Sequence, residues 1–224
     1  MPTTGEITYP TIMNVLLLGA SGRIGRRIAS ELLERGHEVT GTSRSGEIDG
    51  IDDPDFEAVA ADATDVDEIA SLAADHDAVA SALGPSDDAD VDVLVEMAEA
   101  VVEGLQRTDT DRLVWTGGAG GLYVGPDTML IETEEFPDEL EPLAQAAIDA
   151  YGVISEADDL RWTYLGPAAV IEPGERTGEY RTADRQLVAD EDGESYISME
   201  DFAVAFADEL ENDEAVHAYL GVGH

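Results

Sequence analysis

Short apolar runs and amphipathic stretches take turns along this chain. Ile12 to Leu18 (IMNVLLL) is a continuous apolar run that passes straight into Gly19-Ala-Ser-Gly22-Arg-Ile-Gly25, the pattern of a buried strand ending in a glycine turn. From Arg23 to Arg35 apolar side chains return at Ile24, Ile28 and Leu32, the i, i+4 spacing of one helix face, and Gly36 stands where a terminating glycine belongs. His37 to Ser43 (HEVTGTS) predicts a second strand, which closes a βαβ unit of about 30 residues.

The alternation continues. Phe56 to Ala61 predicts a third strand, and Thr64-x-x-Asp67 has the spacing of a capping box that opens a helix at Thr64. Asp77 to Leu83 (DAVASAL) is a fourth strand closed by Gly84-Pro85, and Val91, Leu94, Val95, Ala98 and Val102 mark a long helix from about Ala89 to Gln106. Arg112 to Thr116 (RLVWT) is a fifth strand; after a loop with Pro126 and Pro137, a helix near Asp138 to Ala157 leads to a sixth, Leu160 to Leu165, stopped by Gly166-Pro167. Strands alternating with helices in this way predict a doubly wound parallel sheet.

The last third changes character. Gly178 to Val188 and Ser195 to Ile197 read as short strands or hairpin arms, Ser198-x-x-Asp201 starts a final helix through Leu210, and Ala215 to Val222 is expected to close the sheet edge. For a chain of 224 residues one core is the default. The expected organisation is a single domain over 1–224, with a flexible tail at 1–11 and small cap elements within 123–198.

Composition narrows the class. Acidic residues number 51 against 11 basic ones, all arginine, for a net charge of −40. No basic patch outweighs such a field, so nucleic acid and anionic membranes are excluded as partners. The acids are spread along a chain that is 43% hydrophobic, so the charge decorates a folded surface. Hyperthermophile surfaces enrich lysine together with glutamate; a lysine-free acidic surface instead fits a halophile, where high salt screens the acids from one another. With no cysteine, disulfides, Cys-ligated metals and thiol nucleophiles drop out together. No apolar run approaches the ~20 residues of a membrane span, which leads to an expectation of a cytoplasmic protein.

Glycines between a strand and a helix let the chain turn tightly and bring backbone amides to a pyrophosphate, so Gly19, Gly22 and Gly25 point to a dinucleotide. The spacing is G-x-x-G-x-x-G. Together with VLLLGASGRIG, the chain carries DATD at 62–65, SALG at 81–84, TGGAGG at 116–121, WTYLGPA at 162–168 and SYISMEDFA at 195–203. On these motifs, over nearly its whole length, it resembles the atypical short-chain dehydrogenase/reductase class, and within it the NADH-flavin reductase group of NAD(P)H-binding proteins, with NmrA-like relatives. That resemblance implies cofactor contacts at Gly19, Ala20, Ser21, Gly22, Arg23, Ile24 and Gly25. It also implies that Asp62 and Ala63 hold the adenine, that Ser81, Ala82, Leu83 and Gly84 line the ribose and nicotinamide, and that Thr116, Gly117, Gly118 and Pro167 flank the reactive ring.

Cofactor preference is read from the end of the second strand. An NAD site wants an acid there and a 2′-phosphate wants an arginine; no acid occurs from Val39 to Ser45, and Arg44 is in place. NADP(H) is therefore expected over NAD(H), with Arg23 sharing the phosphate.

Alcohol-oxidising relatives use a Tyr-x-x-x-Lys pair. With no lysine, Tyr151-x-x-x-Ser155 is its sole positional echo, and the usual alcohol chemistry is disfavoured. Hydride transfer to a flavin or quinone needs mainly near-attack geometry. Gly117 to Gly121 suit a flat ring, and Tyr123 is the candidate to stack on it or donate a proton. Two rival readings stand beside this reductase: a non-catalytic NADP(H)-sensing regulator, and a sugar-nucleotide epimerase or dehydratase, which the missing Tyr-Lys pair and short C-terminal region oppose. His37, His76, His217 and His224 show no metal spacing, the Asp52-Asp53 pair lacks a calcium-loop ladder, and Trp115 and Trp162 are assigned to the core.

The charge generates a first prediction. Thermal melts in a KCl series should climb steeply up to about 1 M, where the Debye length shrinks to about 3 Å. A Tm that stays flat from low to high salt overturns the high-salt reading.

Overall fold

The computed structural model describes residues 12–85, 90–212 and 214–224. The tail at 1–11 and the predicted helix start at Ala89 lie outside the described residues. In chain order the elements are β1 (Asn14–Leu18), α1 (Arg23–Glu34), β2 (Glu38–Ser43), β3 (Phe56–Ala60), α2 (Val66–Ala73), β4 (Ala78–Ser81), α3 (Val93–Leu105) and β5 (Arg112–Thr116). They continue with α4 (Glu141–Ser155), β6 (Arg161–Pro167), β7 (Val170–Glu172), β8 (Arg181–Asp184), β9 (Tyr196–Ser198), α5 (Met199–Asn212) and β10 (Ala218–Gly223).

Eight strands form one sheet in the order β3-β2-β1-β4-β5-β6-β10-β8, every pairing parallel except β10 with β8. The apolar run of β1 is continuous because both faces of the strand are covered. Leu16 and Leu18 pack toward α2, α3 and α4 with Ile69, Val101 and Leu105. Val15 and Leu17 pack the other way, with Ile28 and Leu32 of α1 and Phe202 and Phe206 of α5. The fold is thus a doubly wound α/β sandwich. Trp115 and Trp162 are both buried in the first of these cores.

Three local expectations change. The cap of α2 is Asp65, not Thr64: the Asp65 carboxylate accepts from the Asp67 and Glu68 amides, while the Thr64 hydroxyl donates to Asp62 instead. β6 runs on through Gly166 and Pro167, because β10 pairs with it in register as far as Val222↔Pro167. β10 lies inside the sheet and antiparallel β8 takes the edge. Of the two readings of the stretch at 195–197 the short strand holds: β9 pairs in parallel with β7 as a separate two-stranded sheet.

The α1/α5 seam concentrates scarce positive charge. Glu31, 4% exposed, accepts from Arg35 Nε at 2.8 Å and from Arg176 Nε at 2.7 Å. Arg35 also reaches Asp208 and Glu211, each at 2.7 Å. Burial pushes the Glu31 carboxyl up, but the hydrogen bonds and charges of Arg176 and Arg35 together outweigh it and hold the group below its ordinary value.

A carboxyl depressed in the folded state stabilises above its unfolded value, about 4.3, and loses that contribution as pH falls through the folded value. Glu31→Gln should therefore cost about 1.5–3 kcal/mol at pH 7, with the gap to wild type closing in acid. Urea melts in molar KCl at both pH values check this; a gap of constant size overturns the assignment.

Candidate functional site

The chain winds outward from β1 to β2 and β3 in one direction and from β4 to β5 and β6 in the other, so the β1/β4 junction is the topological switch point. Ligands of open α/β sheets bind in the crevice this creates beyond the carboxyl ends of the strands. A cleft of about 930 Å³ lies there. Its wall is built from Gly22, Arg23 and Ile24 after β1, Ala82 to Pro85 after β4, Thr116 to Gly120 after β5 and Pro167 to Ala169 after β6. The loop before α4 and α4 itself complete it with Leu130, Phe136, Leu140, Leu143, Ala144 and Ala147.

One end of the cleft is an anion cradle. Gly19 has φ +79°, and a Cβ there would stand 2.7 Å from the Ala82 carbonyl oxygen. A Cβ on Gly25 would stand 2.2 Å from the Gly19 carbonyl oxygen, so only glycine lets α1 start this close to the end of β1. The Gly22 amide donates to Gly19 at 3.1 Å, the Ala20 amide to Thr42 at 3.0 Å, and Arg26 Nε to the Ser21 carbonyl at 2.9 Å, which fixes the turn. The first amides of α1 have no intrahelical acceptor. No side chain caps them, and no acid stands in the first turn of this helix despite the acidity of the chain. The helix therefore offers uncompensated N–H groups and a partial positive charge to the cleft.

Two hydroxyls sit at the ends of neighbouring strands. Ser81 Oγ closes β4 and Thr116 Oγ1 closes β5, and both are buried without a hydrogen-bond partner. An unsatisfied buried hydroxyl costs about 1–3 kcal/mol. The glycine cradle and this pair of orphaned hydroxyls fit the phosphates and the polar edges of a dinucleotide, with Ser81 and Thr116 as the groups that would hold its ribose and nicotinamide end.

The second glycine run has a different reason from the expected flat-ring platform. A Cβ on Gly117 would stand 1.9 Å from the Tyr164 ring, one on Gly120 would stand 2.7 Å from Ala144 Cβ, and one on Gly121 would crowd Ile148 and Tyr219 at 3.1 Å. These glycines let the short turn at 119–121 pack against β6, α4 and β10. Of the glycines of this run that line the cleft, Gly118 alone has slack, with Ala147 Cβ at 3.5 Å. Sequence reasoning missed Tyr219, whose hydroxyl donates to the Gly118 carbonyl at 2.6 Å. Burial pushes the Tyr219 hydroxyl up, so it stays protonated as a donor. Its signal, one tyrosine in the last strand, has no local pattern.

The remaining expected residues fall as follows. Gly22, Arg23, Ile24, Ala82, Leu83, Gly84, Thr116, Gly117, Gly118 and Pro167 line the cleft; Gly19, Ala20, Ser21 and Gly25 form the turn behind it, and Ser81 lies beneath it. Arg44, Asp62 and Ala63 sit just past β2 and β3, outside the cleft wall. Hydrogen bonds from the Thr64 amide and hydroxyl, with the Arg44 charge nearby, hold the Asp62 carboxyl below its ordinary value. Tyr123 is also outside the wall: its ring faces the Arg185 guanidinium at 5.1 Å, beside Tyr151 and Tyr219. Tyr151 packs edge-on to Tyr164 and Trp162, and Ser155 donates to Gly152, so the Tyr-x-x-x-Ser echo is spent on packing. His37 bridges the Met13 amide and Glu211, and His224 meets Asp201 at 2.9 Å. Among the described residues no cluster of three or more His, Asp or Glu side chains is placed to hold a metal, and no helix is long and apolar enough to cross a membrane.

A glycine turn on a helix N-terminus at the β1/β4 switch point defines a Rossmann-type dinucleotide-binding protein. The chain belongs to the NAD(P)H-binding family, whose model matches residues 19–213. It is 34% identical over 205 residues to the uncharacterized protein YwnB of Bacillus subtilis (strain 168), across 90% of this chain and 94% of that one. Among solved structures it is similar to a "putative exported protein" from Burkholderia pseudomallei, at 42% identity and TM-score 0.86 over 95% of this chain and 100% of that one. It is also similar to a "putative NADH-flavin reductase" from Streptococcus pneumoniae, at 30% identity and TM-score 0.84 over 95% and 99%.

A tight glycine and an open one test the turn geometry. Gly25→Ala should lower Tm and abolish measurable binding of a nicotinamide dinucleotide, because its Cβ meets backbone; Gly84→Ala, with nothing within 4 Å, should leave Tm unchanged. Thermal melts and calorimetric titration with NADPH check both, and a Gly25→Ala protein that melts and binds like wild type overturns the turn geometry.

Proposed function

We propose that the protein is an NADPH-dependent reductase, cytoplasmic and adapted to high salt, that passes hydride to a flavin or quinone-like acceptor. The observation that carries this reading is the continuity of the cleft: one cavity joins the anion cradle at Gly22 and Arg23 to an apolar wall at Leu130, Phe136 and Leu143. Bound NADPH supplies two electrons as hydride from the nicotinamide C4. The first amides of α1 bind its phosphates, Ser81 and Thr116 orient its ribose and nicotinamide end, and the apolar wall excludes water where hydride moves. Arg44, just past β2, would grip the 2′-phosphate. The Streptococcus pneumoniae protein, named a "putative NADH-flavin reductase", supports the same class of acceptor.

One observation favours a second reading, an NADP(H)-sensing regulator. Among the described residues the titratable side chains of the cleft wall are Arg23 and Glu135, with no tyrosine, histidine or aspartate to move a proton. A flavin or quinone takes its proton from solvent, so the reductase does not need one.

Two measurements decide. In molar KCl the protein should oxidise NADPH over multiple turnovers with members of a flavin and quinone panel; no turnover while saturated with NADPH overturns the reductase and leaves the sensor. Charge-assisted hydrogen bonds contribute about 1.5–3 kcal/mol, so Arg44→Ala should weaken NADPH roughly ten- to a hundred-fold and leave NADH unchanged. Equal loss for both dinucleotides removes Arg44 from the phosphate.

A further inference from the structure

The wall of the cleft remote from the glycine turn has a chemistry of its own. Leu140 and Leu143 are 47% and 41% exposed, two of the five large apolar side chains left exposed among the described residues. Both face the cleft that Phe136, Leu130, Ile171 and Met199 also line. Leaving such surface in water is unfavourable, and a contiguous apolar patch facing a cavity marks where a ligand covers it. The segment that carries this wall is also strongly acidic: residues 132–141 hold Glu132, Glu134, Glu135, Asp138, Glu139 and Glu141 and no basic residue. The one cation of the cleft wall among the described residues, Arg23, stands at the glycine turn, where the phosphates of the cofactor belong.

An acceptor with a phosphate or sulfonate would therefore lose hydration against leucine and phenylalanine beside Glu135, with no arginine on that part of the wall to repay it. We infer that the acceptor is an uncharged quinone carrying an apolar substituent, its ring beside Thr116 and Gly118 and its substituent along Leu140 and Leu143. This inference rests on the reductase reading. The reaction balances with groups already named: the quinone gains hydride from NADPH and one proton from solvent, and leaves as the hydroquinone with NADP+ behind it.

The test is the order of affinities on NADP+-saturated protein in molar KCl, read by calorimetry without turnover. The probes are a benzoquinone with a decyl tail, the same ring without the tail, a naphthoquinone sulfonate, and FMN beside riboflavin. Each methylene that becomes buried should raise affinity about fourfold, so the tailed quinone should bind at least tenfold tighter than the bare ring. The sulfonate and FMN should bind at least tenfold more weakly than their uncharged counterparts. The double variant Leu140→Asn, Leu143→Asn, at exposed positions, should erase the tail's increment with no loss of Tm. Equal affinity for tailed and bare rings, or FMN as tight as riboflavin, overturns the inference. Absence of turnover with every acceptor strikes the reductase reading alone, while the affinity order still decides the class of ligand.

Discussion

Everything at the site depends on how closely α1 begins against the end of β1. The carbonyl of Gly19 occupies the space where a Cβ of residue 25 would lie, 2.2 Å away, and a Cβ of residue 19 would press on Ala82 of the neighbouring strand end at 2.7 Å. Both contacts are with backbone, so neither relaxes cheaply. Because they are met by hydrogen, the helix starts at the crevice rather than several ångströms above it. Its uncapped amides then face the cleft, and β1 and β4 stay close enough to form the switch point.

Electrostatics set the second constraint. With 51 acids and 11 arginines, cations are scarce, and the structure spends several of them on tertiary joints. Arg35 gathers three carboxylates between α1 and α5, Arg176 ties the loop before β8 to Glu31, and Arg27 meets Glu200 at 2.6 Å. Arg112, almost wholly buried, donates to the Arg161 and Glu209 carbonyls from between β5 and α5. Against that background Arg23 stands on the cleft wall, beside the uncapped start of α1.

The opposite side of the cleft is held by aromatic packing. Tyr164, Tyr219 and Tyr151 meet at centroid distances of 4.8 to 5.2 Å, and two of their hydroxyls donate to carbonyls of the adjoining wall, Tyr164 to Ala147 and Tyr219 to Gly118. The turn at 117–121 is pinned between them. Its glycines are small because rings and alanines already fill the space, which leaves the apolar face of α4 to shape the far part of the cleft.

The order of strands and helices, the glycine turn and the halves of the cleft nearest β1, β4 and β5 were legible in the sequence, because each rests on local spacing: a buried strand is an unbroken apolar run, a helix face repeats every three to four residues, and a phosphate turn needs glycines at fixed steps. Asp65 rather than Thr64 at the cap of α2 was a choice between adjacent residues that only backbone geometry decides. The position of β10 inside the sheet, with β8 outside it, was not legible, since edge and interior strands differ in their neighbours and not in their own pattern. The same holds for Tyr219 on Gly118 and for Tyr123, which turns to Arg185 instead of the cleft: each depends on residues scores of positions away in the chain. Tertiary packing alone decided why Gly117, Gly120 and Gly121 are glycine, because the atoms that exclude a Cβ belong to Tyr164, Ala144, Ile148 and Tyr219, on three other elements of the fold.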